Sequence, residues 1–123
     1  MLDEVAKHIE DNVTSLVLGE NLFKNYYPDN PDTIVSVIAN GGYPPPRYSP
    51  TRELIFDIKI RSIDYNDGVD LGNKIMDLFD KENYQLGNVY VLASYAMSEL
   101  SYLYSDGQNR DELSIGLAFF ILK

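Results

Sequence analysis

The sequence has no cysteine, no tryptophan and a single histidine, His8. Without cysteine the chain has no disulfide bond, no thiolate nucleophile and no zinc site that uses sulfur ligands. Basic residues are also scarce, because 10 Lys and Arg stand against 19 Asp and Glu, for a formal net charge of −9. An acidic surface repels phosphate, so we expect neither nucleic acid nor an anionic membrane as a partner.

Long apolar runs are absent as well. No stretch approaches the ~20 apolar residues that a membrane span requires. Residues 1–13 carry acidic side chains where a secretory signal would carry basic ones, and their apolar residues are spaced rather than continuous. We therefore expect a soluble, non-secreted protein. A chain of 123 residues has the size of one domain, which we place over residues 1–123.

Tyrosine is the abundant aromatic residue, with ten Tyr beside five Phe. Tyrosine can bury its ring while its hydroxyl stays hydrated, which suits a surface that later meets a partner. It also fits the pleated face of any sheet. Composition alone leaves both interpretations open.

The hydrophobic pattern predicts two helices and five strands. Apolar residues at spacings of three and four predict helices over residues 2–13 and 65–79. Alternation over residues 54–61, with one exception at Ile55, predicts a strand, and shorter patterns predict further strands at 22–27, 33–40, 89–93 and 113–121. Residues 98–112 read as a long polar connection with a turn at Asp106-Gly107. The order α-β-β-β-α-β-β favours an α+β domain, with a mostly antiparallel sheet and both helices on one face.

No set of residues predicts catalysis, a cofactor or a metal ion. A lone histidine in mid-helix, His8, is more often a boundary residue than a base or ligand. The group Asp64, Asn66, Asp67 and Asp70 resembles a calcium loop, but Gly68 and Ile75 stand where that motif needs ligands. We interpret these residues as helix caps. The glycines fit no phosphate-binding frame, and the remaining acidic residues read as a solvated surface.

The segment from Gly41 to Pro50 predicts a stiff, projecting loop. It runs from Gly41-Gly42 into three consecutive prolines, and Pro45-Pro46-Arg47-Tyr48 spells a PPxY motif of the kind that WW domains bind. A rigid loop explains the same residues without a reader domain. Nearby, Arg47, Arg52, Lys59 and Arg61 predict cross-strand ion pairs, or alternatively a local nucleic-acid patch.

The sequence resembles a family of small tailed-bacteriophage proteins that are labelled minor capsid proteins and are similar to tail terminators. The most specific part of the resemblance is PDNPD, followed by an apolar strand, Gly-Gly and paired prolines, over residues 28–45. Further segments that carry it are residues 2–10, 54–65, 70–79 and 87–121. The resemblance covers nearly the whole chain, and none of its motifs belongs to an active site.

The resemblance implies a structural virion protein without enzymatic activity. Copies would close into a ring, a hexamer in the family, that caps the tail tube, contacts the major tail tube protein and presents the tail to the head connector. Such a protein would reside at the head-tail junction of the virion and in the host cytoplasm during assembly. A head-completion or head-tail joining protein is the first alternative, a monomeric adaptor that uses the PPRY loop the second, and a carboxylate hydrolase the third.

Contact residues are expected in the two segments that the core explains least. These are the proline loop and the polar connection before the last strand. Their aromatic and arginine side chains are the candidate assembly interface: Tyr43, Arg47, Tyr48, Tyr102, Tyr104 and Arg110.

Overall fold

The computed structural model describes residues 1–42, 47 and 50–122. Within these residues the chain forms two helices and seven strands, all of the strands in one sheet. The helices are α1 (Leu2–Asn12) and α2 (Tyr65–Leu78). The strands are β1 (Leu22–Lys24), β2 (Ile34–Gly42), β3 (Thr51–Ser62), β4 (Lys81–Leu86), β5 (Val89–Ala96), β6 (Ser101–Ser105) and β7 (Asp111–Leu122). No described helix is long and apolar enough to cross a membrane.

The sheet is built around the antiparallel pair of β3 and β7. These two strands pair along their full length, from Thr51 opposite Leu122 to Ser62 opposite Asp111. The strand order is β1-β2-β3-β7-β5-β4, and β6 follows β5 along the same edge of β7. The pair β1–β2 is parallel and the other named pairs are antiparallel. The predicted α+β class with a mostly antiparallel sheet is confirmed.

The core lies between the helices and one face of the sheet. Because successive side chains of a strand point to opposite faces, β3 contributes Phe56, Ile58 and Ile60 to this side. Both helices pack on this face and contact each other. At the centre, the rings of Phe79 and Phe119 meet edge to face with centroids 5.4 Å apart.

Helix α2 carries glycine on the face that packs against the sheet. Asp64 caps the helix by accepting a hydrogen bond from the Asn66 backbone N–H at 3.0 Å, as the capping interpretation predicts. Gly68 faces β7, and a Cβ added there would lie 2.6 Å from Leu113 Cδ1. The glycine that weakens the helix in isolation therefore allows the close packing.

In the described part of the chain, the connection before β2 covers one end of the opposite face of the sheet. The connection over residues 25–33 crosses it, and the Ser36 hydroxyl donates to the Tyr26 carbonyl oxygen beneath this connection. Farther along the face, the rings of Tyr95 and Phe120 stack with centroids 6.1 Å apart. In this second half of the face, Tyr95 and Met97 are exposed by 41% and 50%.

Two strands lie where the sequence predicted connections. Strand β4 occupies residues 81–86, and β6 occupies residues 101–105 within the predicted polar connection. Each forms an edge: all of β6 and most of β4 are exposed, so neither shows the alternation along its whole length that marks a strand in sequence. Strand β1 is also shorter than predicted and ends at Lys24.

Candidate functional site

Strand β6 offers an unpaired edge to solvent. It pairs with β7 on one side, from Ser101 opposite Ser114 to Ser105 opposite Asp111. In the part of the chain that the structure describes, no strand pairs with its other side. All five β6 residues are exposed. We call this free side, together with the neighbouring Tyr65, the β6 edge; such an edge presents backbone N–H and C=O groups to a partner.

A bulge in β6 places its two tyrosines on opposite faces of the sheet. Tyr102 stands opposite Leu113 and Tyr104 opposite Glu112, with the register shifted between them. Tyr102 therefore lies on the helix side, where its ring stacks on Tyr65 with centroids 5.9 Å apart. The spacing of two residues would otherwise put both rings on one face. The β6 edge thus carries aromatic side chains above and below its backbone.

The edges at β1 and β4 are partly protected. At β1, the Gly19 N–H donates to the Leu22 carbonyl at 2.9 Å, so the preceding turn covers that edge. At β4, Lys81 and Glu82 are exposed and Asn83 has a left-handed φ of 51°. Charges and irregular backbone on an edge oppose strand addition. Strand β6, in contrast, is exposed along its whole length and carries no charged side chain.

Arg110 fastens the turn of the β6–β7 hairpin to the loop that precedes β2. Its Nε donates to Asp106 Oδ2 at 2.7 Å, and its Nη2 donates to Asp29 Oδ1 at 2.8 Å. Its Nη1 donates to the Asp29 carbonyl at 2.7 Å and lies 3.3 Å from Asp32 Oδ1. The residue is only 3% exposed. One guanidinium thus joins the hairpin turn to the segment that reads PDNPD in the sequence.

The hairpin turn is itself organised by Asp106. Its Oδ1 accepts the backbone N–H groups of Gln108 at 2.9 Å and Arg110 at 3.0 Å. Asn109 completes the turn with a left-handed φ of 62°, a conformation that asparagine tolerates better than most residues. Burial alone would raise the pKa of Asp106, but these N–H donors and the Arg110 guanidinium lower it overall.

A second buried arginine donates hydrogen bonds to the same loop. Arg61 is 3% exposed and donates to the Pro31 carbonyl at 2.6 Å and the Asp32 carbonyl at 3.2 Å. Its guanidinium carbon lies 5.3 Å from the centroid of the Tyr27 ring. The Tyr27 hydroxyl donates to Glu112 Oε2, whose residue is 6% exposed. Arg61 is therefore buried, and the expected cross-strand ion pair on a wet face is wrong for this residue.

At this end of the sheet, the arginine side chains are buried and several carboxylates are exposed. The hydrogen bond from Arg110 lowers the pKa of Asp29, and the same bond is the main cause that raises the pKa of Arg110. Both arginines are buried within the loop, whereas Asp29 and Asp32 are exposed by 70% and 53% as side chains. Further carboxylates, all exposed, flank the β6 edge at Asp64, Asp67 and Glu99.

The exposed arginines lie at the opposite end of the sheet. Arg47 is in the connection between β2 and β3, and Arg52 is at the start of β3, opposite Ile121. Both are exposed. Arg52 is ten residues from Ser62 along β3, about 33 Å at the rise of a β-strand. We call these two residues the arginine end.

The structure places the expected interface residues as follows. Tyr102 and Tyr104 are exposed on the β6 edge, and Arg47 is exposed at the arginine end. Arg110 is buried in ion pairs within the chain, so it supports the β6–β7 hairpin rather than facing solvent. Tyr43 and Tyr48 lie outside the described residues, as does most of the PPRY motif. Tyr65 and Leu103 also line the β6 edge, and no feature of the sequence singled them out.

Little in the described residues suggests catalysis or metal binding. No group of three or more His, Asp or Glu side chains in that part of the chain is placed to hold a metal ion. His8 lines a shallow depression beside Asp3, Glu4 and Gly87, and its ring lies 5.5 Å from that of Phe79. Burial lowers the pKa of His8, and the nearby cation of Lys81 lowers it further. The histidine is a half-buried boundary residue, as the sequence analysis expected.

Comparisons with known proteins bear on the family and on the fold. A family model described as bacteriophage tail terminator protein matches residues 11–122. The fold is similar to a chain in the virion of a native gene transfer agent particle, with a TM-score of 0.69, 9% identity and coverage of 100% and 95% of the two chains. A second solved chain aligns with a TM-score of 0.57, 11% identity and coverage of 100% and 96%. No curated protein matches the chain significantly.

Proposed function

The chain belongs to the bacteriophage tail terminator family, and we propose that its copies close into a ring that caps the tail tube, stops its polymerisation and presents the tail to the head connector. The family match over residues 11–122 carries this proposal. The role is structural and non-enzymatic, and residues 1–123 act as a single domain. The protein functions in the virion, at the head-tail junction, after assembly in the host cytoplasm.

The surface of the protein supports an assembly role. A ring needs a heterologous contact, in which two different patches of one chain meet on neighbouring copies. The β6 edge is one such patch, because its backbone groups and aromatic side chains are open to a partner. The net charge of −9 keeps free subunits apart until specific contacts overcome their repulsion.

The partners of the ring follow from its proposed position at the head-tail junction. One side of the ring would meet the last layer of the major tail tube protein, and the other side would meet a head-completion or connector protein. A six-fold ring would match the hexamer that the family resemblance implies. Tyr43, Arg47, Tyr48, Tyr102 and Tyr104 remain proposed contact residues, and Arg110 supports the hairpin that carries Tyr102 and Tyr104.

The decisive experiment is electron microscopy of lysates from the phage that carries this gene with an early stop codon. We expect tails of irregular and excessive length, because nothing would stop tube polymerisation. The control is the same phage supplied with the intact gene from a plasmid, which should restore tails of uniform length. Normal-length tails beside unattached, filled heads would assign the protein to head-tail joining instead. Normal virions would overturn both structural roles.

A further inference from the structure

We propose that the ring contact joins the arginine end of one copy to the β6 edge of the next copy. This inference rests on the proposed function and adds to it the two surfaces that meet. The contact is heterologous, since Arg47 and Arg52 belong to one copy while Tyr65, Tyr102 and Tyr104 belong to its neighbour.

The distribution of arginine is the first observation. Arg61 and Arg110 are each 3% exposed and are satisfied by carbonyl and carboxylate oxygens of their own chain. Arg47 and Arg52 are exposed, on a protein whose net charge is −9. Arginine is enriched in protein interfaces because its planar guanidinium stacks on aromatic rings and forks to carboxylates.

The chemistry of the β6 edge is the second observation. Tyr65, Tyr102 and Tyr104 are exposed by 45%, 50% and 56%. Exposed carboxylates flank these rings at Asp64, Asp67 and Glu99. A tyrosine ring attracts a guanidinium over its face, and the carboxylates add long-range attraction. The unpaired carbonyl groups of β6 supply further acceptors, of the kind that Arg61 and Arg110 already use inside the chain.

Distance within the chain is the third observation. The two surfaces lie at opposite ends of the β3–β7 ladder, so Arg52 is about 30 Å from Tyr104 along the strands. No arginine side chain spans that distance, so the arginine end can contact a β6 edge only on another copy. Contacts between opposite ends of identical subunits are heterologous and close into a ring when the rotation per subunit permits.

The charges also disfavour the alternative in which two β6 edges pair with each other. That symmetric contact would bring Asp64, Asp67 and Glu99 of both copies together. Like charges that face each other across an interface are destabilising. The arginine end carries the opposite charge. A β6 edge should therefore bind the arginine end in preference to a second β6 edge.

Cysteine crosslinking tests the contact, since the natural chain has no cysteine. Arg52→Cys and Tyr104→Cys are combined in one chain, tails are assembled in infected cells, and a short bismaleimide is added. We expect a ladder of covalent oligomers that ends at the size of the closed ring. The matched control combines Arg52→Cys with Thr14→Cys, an exposed position just after α1, and should remain monomeric. Both single variants should remain monomeric as well.

Other crosslinking results would overturn the inference. Dimers from Tyr104→Cys alone would indicate pairing between two β6 edges. A crosslink from either cysteine to the tube protein would assign that surface to the tube. Absence of any ladder, from a double variant that still yields tails of normal length, would exclude contact between these surfaces.

Charge reversal gives a second readout. Arg52→Glu should lower the yield of infectious particles about tenfold or more, because the glutamate would face the carboxylates of the β6 edge. Lys74→Glu reverses an exposed charge on α2 and should leave the yield unchanged. Equal yields from the two variants would contradict the proposed contact. If the stop codon lengthens tails while Arg52→Glu has no effect, the terminator role stands and only this contact fails.

Discussion

Arg110 donates from Nη2 to Asp29 Oδ1 at 2.8 Å, although the two residues are 81 positions apart in the chain. The same guanidinium reaches Asp106 in the turn just before β7. These bonds join the crossing loop, the hairpin turn and the central pair of strands into one unit. The open β6 edge is therefore presented on a supported hairpin rather than on an isolated one.

Replacing Arg110 with alanine should release the loop over residues 28–33. Asp29 and Asp32 would lose their cation and rehydrate, since both are exposed, while Asp106 would lose one of its donors. Limited proteolysis should cut this loop faster, and the melting temperature should fall. Arg110→Lys should restore only part of the protection, because an ammonium group cannot bridge several acceptors in a planar fork.

The control for Arg110 is Arg52→Ala, which removes an exposed arginine from the other end of the same sheet. Its proteolysis pattern and melting temperature should match those of the natural chain. If Arg110→Ala were equally stable and equally resistant, Arg110 would not be a structural cation.

Tyr27→Phe should destabilise the protein by about 1 kcal/mol. The change removes the hydroxyl that donates to Glu112, whose carboxylate is buried, while the ring keeps its place over Arg61. Urea denaturation measures the difference. Tyr26→Phe is the matched control, because that neighbour is 53% exposed, and its substitution should change the free energy of unfolding by less than about 0.5 kcal/mol.

Gly42→Ala should destabilise the β2–β3 hairpin by about 2 kcal/mol. Gly42 has a φ of +129°, and a Cβ there would lie 2.4 Å from the carbonyl oxygen of Glu53, so backbone would have to move. Gly107→Ala is the control, because a Cβ at Gly107 meets no atom within 4 Å. Chemical denaturation should give a clearly lower free energy of unfolding for Gly42→Ala than for Gly107→Ala. Equal values would mean that the hairpin accommodates the added Cβ without loss of stability.

His8 should make stability depend on pH near neutrality. Burial lowers its pKa in the folded state, so between the folded value and the unfolded value of about 6.5 the unfolded chain binds more protons. The contribution is fully present above the unfolded pKa and is lost as pH falls toward the folded pKa. His8→Gln should therefore flatten the decline in unfolding free energy between about pH 7 and about pH 5. Identical slopes for both proteins would refute this assignment.

The elements with a buried face were predictable from the sequence. Both helices, β3 and β7 carry apolar residues with the period of their own structure, because one side of each packs in the core. Strands β4 and β6 were not predicted, since pairing and not burial holds them in the sheet. The parallel pairing of β1 with β2 has no local sequence signal either, because it depends on the path of the loop between them.

The candidate site was predictable only in part. Tyr102 and Tyr104 were identified because no core explains them, and both are exposed. Their placement on opposite faces depends on a bulge, which composition does not indicate. The burial of Arg110 depends on Asp29, and a contact between residues so distant in the chain has no counterpart in periodicity or charge pattern.

The position of β7 has a consequence for how the chain acquires its fold. This strand follows all the other strands in chain order, yet it lies between β3 and β5 in the middle of the sheet. Its pairing with β3 joins Thr51 to Leu122, so the central contacts close long loops, which slows folding. Until β7 has been synthesised and has docked, β3 and β5 lack their shared neighbour, and the β6–β7 hairpin does not exist. Nascent chains therefore cannot present a finished β6 edge, which delays assembly until each subunit has folded.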